Sequence, residues 1–464
     1  MKLSPKKLSI LFFSIAFISC QNTETKTTNS STNIINNEQT IKTNSIHYES
    51  VKNSHINYAY YLPDNYDSTK KYPVIFFFDS HAKGSFPIEK YKKISSQYNY
   101  ITVGSNNSKN GLPQQEYSNI ISNTFRDAIS KLQIDTSRIY TMGFSGGARI
   151  AILSAYETTK VKGVVACGAS FPFQPSGKLK FNFLGIVGNQ DFNYLEFENL
   201  KPILNKLNTN YQITNFNGIH EWPSDSLFEE AVLWFECNAM KNNSILKNDK
   251  IINQTISIFE NQIKNHESLN NFYLAYIKTL TLINYINNLT DITGFSKKFN
   301  DLKTKNEVKN ALKEIEDLKV LELAIQKSYY SAFQAKDTIW WASELKNIEQ
   351  KSDKNTLKGQ LFYRIKNFLG IMCYSNCNSA TKQGNISLLK NTLFVYKNVS
   401  ENNPDYYYFS ACLNGLLNNR NATIENLSKA IELGFNDIAQ IQNEYAFNQL
   451  KGTREFSDLL STIQ

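Results

Sequence analysis

The segment Arg138-Ile-Tyr-Thr-Met-Gly143-Phe144-Ser145-Gly146-Gly147 constrains the fold more than any other part of the 464-residue chain. Its first half is an apolar run that reads as a strand over Arg138 to Met142, and Gly146 to Tyr156 carries helical spacing. Between them stands Gly-x-Ser-x-Gly. A chain that turns from strand straight into helix holds the residue at the apex in a strained backbone conformation. Side chains two positions before and two after that apex would collide, which accounts for glycine at 143 and 147. The hydroxyl of Ser145 is then lifted above the carboxyl end of the strand. The helix that follows offers unpaired N–H groups and positive potential. The Gly146 amide is the natural first donor to an oxyanion formed there.

The surrounding pattern supplies the sheet and helices that such a turn needs. Strands are expected at Ile56 to Leu62, Tyr100 to Val103, Val161 to Ala166, Phe183 to Val187 and Tyr211 to Phe216. Pro73 to Phe78 is a continuous apolar run, as in a strand buried on both faces. Helices are expected at Ser118 to Leu132, Leu195 to Leu207 and Pro223 to Met240. Repeated β-then-α units imply an α/β fold, a mostly parallel sheet covered on both faces, over residues 46–241.

From Asn242 onward the strand signals stop. Helical spacing marks Asp249 to His266, Leu269 to Leu289, Glu307 to Leu321, Glu322 to Ala335, Thr338 to Lys351 and Leu357 to Cys373. Pro404 to Gly434 resembles one tetratricopeptide-type helix pair, with Tyr408, Ala411 and Leu413 on its first helix and Leu427, Ala430 and Ile431 on its second. Residues 242–464 therefore read as an all-α domain, either a degenerate helical-repeat array or a plain bundle with incidental small residues.

The N-terminus reads as an export signal. Met1 to Lys7 is basic and Leu8 to Ser19 is nearly all apolar, about a dozen residues, which is short for a membrane span and suited to a signal peptide. The run ends Phe17-Ile18-Ser19-Cys20, which resembles a bacterial lipobox with Cys20 as the lipidated residue, although Phe17 stands where Leu is usual. An ordinary secretion signal is the alternative. Gln21 to Ser45 is too polar to fold and suits a tether. The expected location is the bacterial cell envelope, periplasmic or surface-exposed, held to the membrane by lipid.

Charge and cysteines exclude other classes. The net charge is +9, and loss of Lys2, Lys6 and Lys7 with the leader leaves about +6 spread along the chain. No dense basic stripe with interleaved aromatics is present, so nucleic acid is not an expected partner. Of six cysteines, Cys167, Cys237 and Cys412 sit singly in apolar patterns. Cys373 and Cys377 lie four apart with no further ligand pair, favouring buried small residues over a disulfide or metal site. Neither cofactor nor metal is expected.

A serine nucleophile needs a base and an acid. The chain has five histidines, of which His47 and His55 precede the sheet and His266 lies in the helical half. His220, in Asn217-Gly-Ile-His220-Glu-Trp222-Pro223, falls between the last strand and the last helix of the sheet domain, as the order serine, acid, histidine requires. The acid should follow a strand end between them, and Gly188-Asn-Gln-Asp191 does so. Asp225 is the rival, but it reads better as a first-turn helix charge. A second oxyanion donor is expected in Asp79-Ser80-His81-Ala82-Lys83-Gly84, at the amide of Ser80 or His81. The His81 side chain itself either binds substrate or shapes the loop, and the second is preferred.

On Gly143-Phe-Ser145-Gly-Gly147, Gly188-Asn-Gln-Asp191 and Gly218-Ile-His220-Glu-Trp222-Pro223, residues 50–240 resemble the α/β-hydrolase superfamily, in particular polyhydroxybutyrate depolymerase, feruloyl esterase and dienelactone hydrolase-like enzymes. The resemblance implies hydrolysis of carboxylic esters through an acyl-enzyme, on a small-molecule or polymer-bound substrate. Only about a dozen residues, Ser170 to Phe181, connect the strand after the serine helix to the strand before Asp191, which is too few for a helical cap. An open site is therefore expected, lined by Phe171, Phe173, Phe192 and Trp222. A serine peptidase of the same fold and a non-catalytic scaffold remain alternatives. The helical half is left between binding a protein partner and packing on the hydrolase.

Overall fold

The computed structural model describes residues 43–400 and 402–463. The expected leader over residues 1–19, Cys20 and nearly all of the tether lie outside the described residues. No described helix is long and apolar enough to cross a membrane.

One compact unit ends at Val320, and a second begins at Leu321. The first contains an eight-stranded sheet: β1 (Ile46–Ser50), β2 (Asn57–Tyr61), β3 (Tyr72–Phe78), β4 (Ile101–Ser105), β5 (Ile134–Phe144), β6 (Val161–Cys167), β7 (Asn182–Gly188) and β8 (Tyr211–Phe216), in the order β1-β2-β4-β3-β5-β6-β7-β8. β1 and β2 pair antiparallel, as do β2 and β4, and every other pairing is parallel. The connecting helices are α1 (Ser85–Gln97), α2 (Gln114–Lys131), α3 (Gly146–Glu157), α4 (Tyr194–Lys206) and α5 (Asp225–Lys241).

Each face of the sheet has its own apolar core. Successive side chains of a strand point to opposite faces. Val74, Phe76 and Phe78 of β3 accordingly join a core with α2, α3 and α4. Ile75 and Phe77 join another with α1 and α5. All seven residues of β3 are buried, which is why its run is apolar without alternation. Tyr91 of α1 stacks on Phe228 of α5 at 4.2 Å and donates its hydroxyl to Pro223 O at 2.7 Å, fixing where α5 begins.

Helix α1 carries no sequence expectation. Gly84 provides no side-chain cap and Pro87 lies in its first turn, so its start is unmarked. The second core continues into α6 (Asp249–Ser268), α7 (Phe272–Ile286) and α8 (Thr293–Thr304), through Ile252, Phe259, Ile263, Leu282, Tyr285 and Leu302.

Helix α9 (Asn306–Ala335) runs unbroken through Leu321 and Glu322, where two helices were expected. In the second unit Glu322 is fully buried and accepts from Arg364 Nε at 3.0 Å to each carboxylate oxygen, so a charge that reads as a helix start is satisfied in mid-helix. That unit continues with α10 (Thr338–Lys351), α11 (Leu357–Gln383), α12 (Ile386–Val399), α13 (Pro404–Leu416) and α14 (Arg420–Glu432), then short helices at Ile438–Asn443 and Arg454–Ser461. α13 and α14 form a helical hairpin that buries Tyr408, Ala411, Leu427 and Ala430. The five described cysteines are buried and unbridged.

Candidate active site

Ser145 stands at the turn between β5 and α3 with φ +55° and ψ −123°. Its amide donates to Cys167 O at 2.8 Å on the neighbouring strand end. The flanking glycines are sterically required. A Cβ on Gly143 would come within 2.1 Å of Gly147 O, and one on Gly147 within 2.0 Å of Phe78 O. Backbone cannot retreat from such contacts, so the turn admits no larger residue.

His220 reaches this point from the loop after β8. Its Nε2 lies 3.0 Å from Ser145 Oγ and its Nδ1 lies 2.9 Å from Asp191 Oδ2. The imidazole sits between the rings of Phe144, at 4.6 Å, and Phe192, at 4.3 Å. Gly168, at φ +65°, leaves the space: a Cβ there would stand 3.1 Å from the ring.

Asp191 follows β7 and is 1% exposed. Its Oδ1 accepts the Asn193 amide at 2.8 Å, and Asn193 Nδ2 donates to Gly168 O at 2.7 Å. Two backbone bonds join the acid loop to the histidine loop, Asn189 N to Phe216 O at 2.8 Å and Gln190 N to Gly218 O at 3.0 Å. The carboxylate is thereby aimed before it meets the ring. Asp225 is the first residue of α5 and exposed, and the rival assignment has no geometry to support it. His47 is bonded to Ser45, His55 to Glu116, and His266 lies on α6.

The loop after β3 is organised by Asp79. Its Oδ1 accepts the amides of His81 at 2.9 Å and Lys83 at 3.3 Å, and its Oδ2 accepts Trp222 Nε1 at 3.4 Å. Burial alone would push this carboxyl up, but the hydrogen bonds from His81 and the Lys83 amide hold it below its ordinary value. The His81 amide is thus occupied within the loop, which leaves the Ser80 amide as the loop's candidate for a second oxyanion donor. The His81 ring lies 3.3 Å from Ser80 Oγ and 3.7 Å from Asp79, as a loop-shaping residue does.

Of the four aromatic residues expected to line the site, Phe192 and Trp222 are beside it, Trp222 at 5.6 Å from Phe144. Phe171 and Phe173 belong elsewhere. Phe171 is 6% exposed in the sheet core, 4.9 Å from Phe183, and Phe173 packs on Tyr156 at 5.0 Å. Both follow β6 and meet the ring of Tyr156 near the C-terminus of α3. Residues 168–181 contain no helix.

Three contributors had no sequence signal. Asn110 packs its side chain over Gly146, where a Cβ would meet Asn110 Oδ1 at 1.7 Å, and its amide donates to Ser80 O at 2.9 Å. Asn193 orients Asp191 through its backbone. Glu196 pairs with Arg149 of α3 at 2.9 Å and accepts the Ser170 amide at 3.0 Å, bracing the serine helix against the loop after β6.

Residues 78–184 match the family model of an alpha/beta hydrolase domain. Structural likenesses include S-formylglutathione hydrolase of Staphylococcus aureus, at 15% identity over 42% of this chain and 98% of that one, with a TM-score of 0.34. They also include the fluorophosphonate-binding serine hydrolase F of the same organism, at 13% identity over 41% and 98%, TM-score 0.35. The feruloyl esterase module of Clostridium thermocellum matches at 15% identity over 38% and 82%, TM-score 0.33. No curated protein matches in sequence. The chain thus carries an α/β-hydrolase domain, with a mostly parallel sheet of that type, followed by a helical region.

Proposed function

We propose that this chain is a serine hydrolase that cleaves carboxylic esters through an acyl-enzyme, with Ser145 as nucleophile, His220 as general base and acid, and Asp191 as the group that orients the imidazole. One observation carries the reading: a serine in a strained turn, an imidazole and a buried carboxylate, from three separate loops, stand in continuous hydrogen-bond reach at the carboxyl ends of the parallel strands.

In this mechanism His220 Nε2 takes the Ser145 proton as Oγ attacks the ester carbonyl. Negative charge grows on the carbonyl oxygen, where the amides of Gly146 and Ser80 receive it. Asp191 stabilises the imidazolium and fixes its tautomer. The alcohol leaves with the proton from His220, and water then repeats the sequence on the acyl-enzyme. Phe192 and Trp222 supply apolar walls. The chain works at the bacterial envelope, tethered through lipid on Cys20. Loss of radiolabelled palmitate incorporation in Cys20→Ser tests that part.

The reaction is tested with p-nitrophenyl acetate, a feruloyl ester and a peptide p-nitroanilide. Ester turnover that falls at least 1,000-fold in Ser145→Ala, as is typical when a nucleophile is removed, supports the reading. Retention of the wild-type rate would end it. Turnover of the anilide in preference to both esters would assign a peptidase, and no turnover of any would assign a scaffold.

A further inference from the structure

A cavity of about 510 Å³ opens beside the loop that carries His220, and neither Ser145, Asp191 nor His220 lines it. Phe216 at the end of β8, with Glu221 and Trp222 of that loop, forms one wall. The opposite wall is Gln262 and His266 of α6 and Lys278 of α7, helices that follow the sheet domain within the same compact unit. Its volume falls in the range of small-molecule sites, roughly 300–1,000 Å³.

The charges lining this cavity cancel. Lys278 donates to both oxygens of the buried Glu230 carboxylate, at 2.8 and 3.0 Å, and the other two charged residues of the lining, Lys90 and Glu221, carry opposite signs. Burial, helped by Lys278, pushes the His266 imidazole below its ordinary value, so it stays uncharged at neutral pH. A lining without net charge selects neither anion nor cation. It does mix donors with acceptors: the Gln262 amide, which gives its Nε2 hydrogen to Glu230 at 2.9 Å, the His266 ring and the Ser226 hydroxyl. Phe216 and Trp222 add flat apolar surface. Hydroxyl groups, which both donate and accept, match such a lining, and the C–H face of a sugar ring matches aromatic walls.

We propose that this cavity binds a neutral saccharide, held between the histidine loop and the helices α6 and α7. The site goes beyond the proposed reaction and does not depend on Ser145 being a nucleophile. Ser226 is exposed in the first turn of α5, and the capping bond of that helix runs from the Leu227 amide to Ser224 Oγ, which Ser226 meets only through its hydroxyl at 3.0 Å, so Ser226→Trp obstructs the cavity and leaves the capping bond in place.

The test is calorimetric titration of the full chain with xylo-, cello-, malto- and mannotetraose, and with trigalacturonate as the charged counterpart. At least one neutral tetraose should bind saturably with Kd between micromolar and millimolar. Ser226→Trp should weaken it at least tenfold with the thermal transition retained, Lys90→Ala at least threefold, and trigalacturonate should bind at least tenfold more weakly. Absence of saturable binding by all four tetraoses, an unchanged Kd in folded Ser226→Trp, or tighter binding of trigalacturonate would overturn the proposal. Fluorophosphonate labelling of Ser145 in the same preparations separates the two readings. Labelling without saccharide binding counts against this site alone, and saccharide binding without labelling counts against the reaction alone.

Discussion

The indole Nε1 of Trp222 donates to Asp79 Oδ2 across 3.4 Å, tying the loop after β8 to the loop after β3. Because Asp79 also accepts the His81 and Lys83 amides, one buried carboxylate sets both the candidate oxyanion loop and the stem of the histidine loop. Asp79→Asn should lower kcat/KM for p-nitrophenyl acetate by roughly 10–100-fold, by misplacing the Ser80 amide relative to the developing charge. Its pKa is lowered in the folded protein, so its contribution to stability is complete above the ordinary carboxylate value of about 4 and is lost as pH falls from there through the lowered value. Stabilities of wild type and Asp79→Asn should therefore differ by a constant amount above about pH 4 and draw together as pH falls below it.

The strain at Ser145 has a measurable consequence. A non-glycine residue at φ +55° and ψ −123° costs on the order of 1–3 kcal/mol, which glycine avoids. Ser145→Gly should be more stable than Ser145→Ala by about 1 kcal/mol or more in urea unfolding, with both inactive. Equal stabilities would mean that the turn stores no strain.

In the helical unit, removing one member of the buried Glu322–Arg364 pair strands the other. Arg364→Met should cost about 3–5 kcal/mol in denaturant unfolding of that unit, and the double variant with Glu322→Leu should recover most of it.

Asp405, in the first turn of α13, is buried, and burial raises its carboxyl to about 7. A raised acid makes the folded state hold its proton longer than the unfolded state. Stability of the helical unit should thus fall as pH rises from about 4 to 7 and level off above. Asp405→Asn should abolish that fall and stabilise the unit at pH 7 by roughly 1–4 kcal/mol, as followed by thermal unfolding across pH.

The sequence disclosed residues whose identity is dictated by sterics or by scarcity. Glycine at 143 and 147 is required by backbone contacts near 2 Å, and His220 was the histidine left once chain order was applied. Asp191 was legible as a strand-end acid. Contributors that act through backbone were not. The Asn193 amide, the Asn110 side chain over Gly146 and the carboxylate of Asp79 depend on how loops fold, and asparagine and aspartate are ordinary loop residues. Phe171 was misread because nearness in sequence to a strand end does not reveal whether a ring turns toward the site or the core. The break placed at Glu322 failed for a related reason, since its partner Arg364 lies far along the chain.

The most direct test of the account is covalent labelling of the full chain with a fluorophosphonate, followed by mass spectrometry of the digest. One adduct is expected, on the peptide containing Ser145, with labelling slowed at least 100-fold in His220→Ala, since the base must take the hydroxyl proton. An unmodified Ser145 peptide in folded wild-type protein, or equal labelling rates in wild type and His220→Ala, would contradict it.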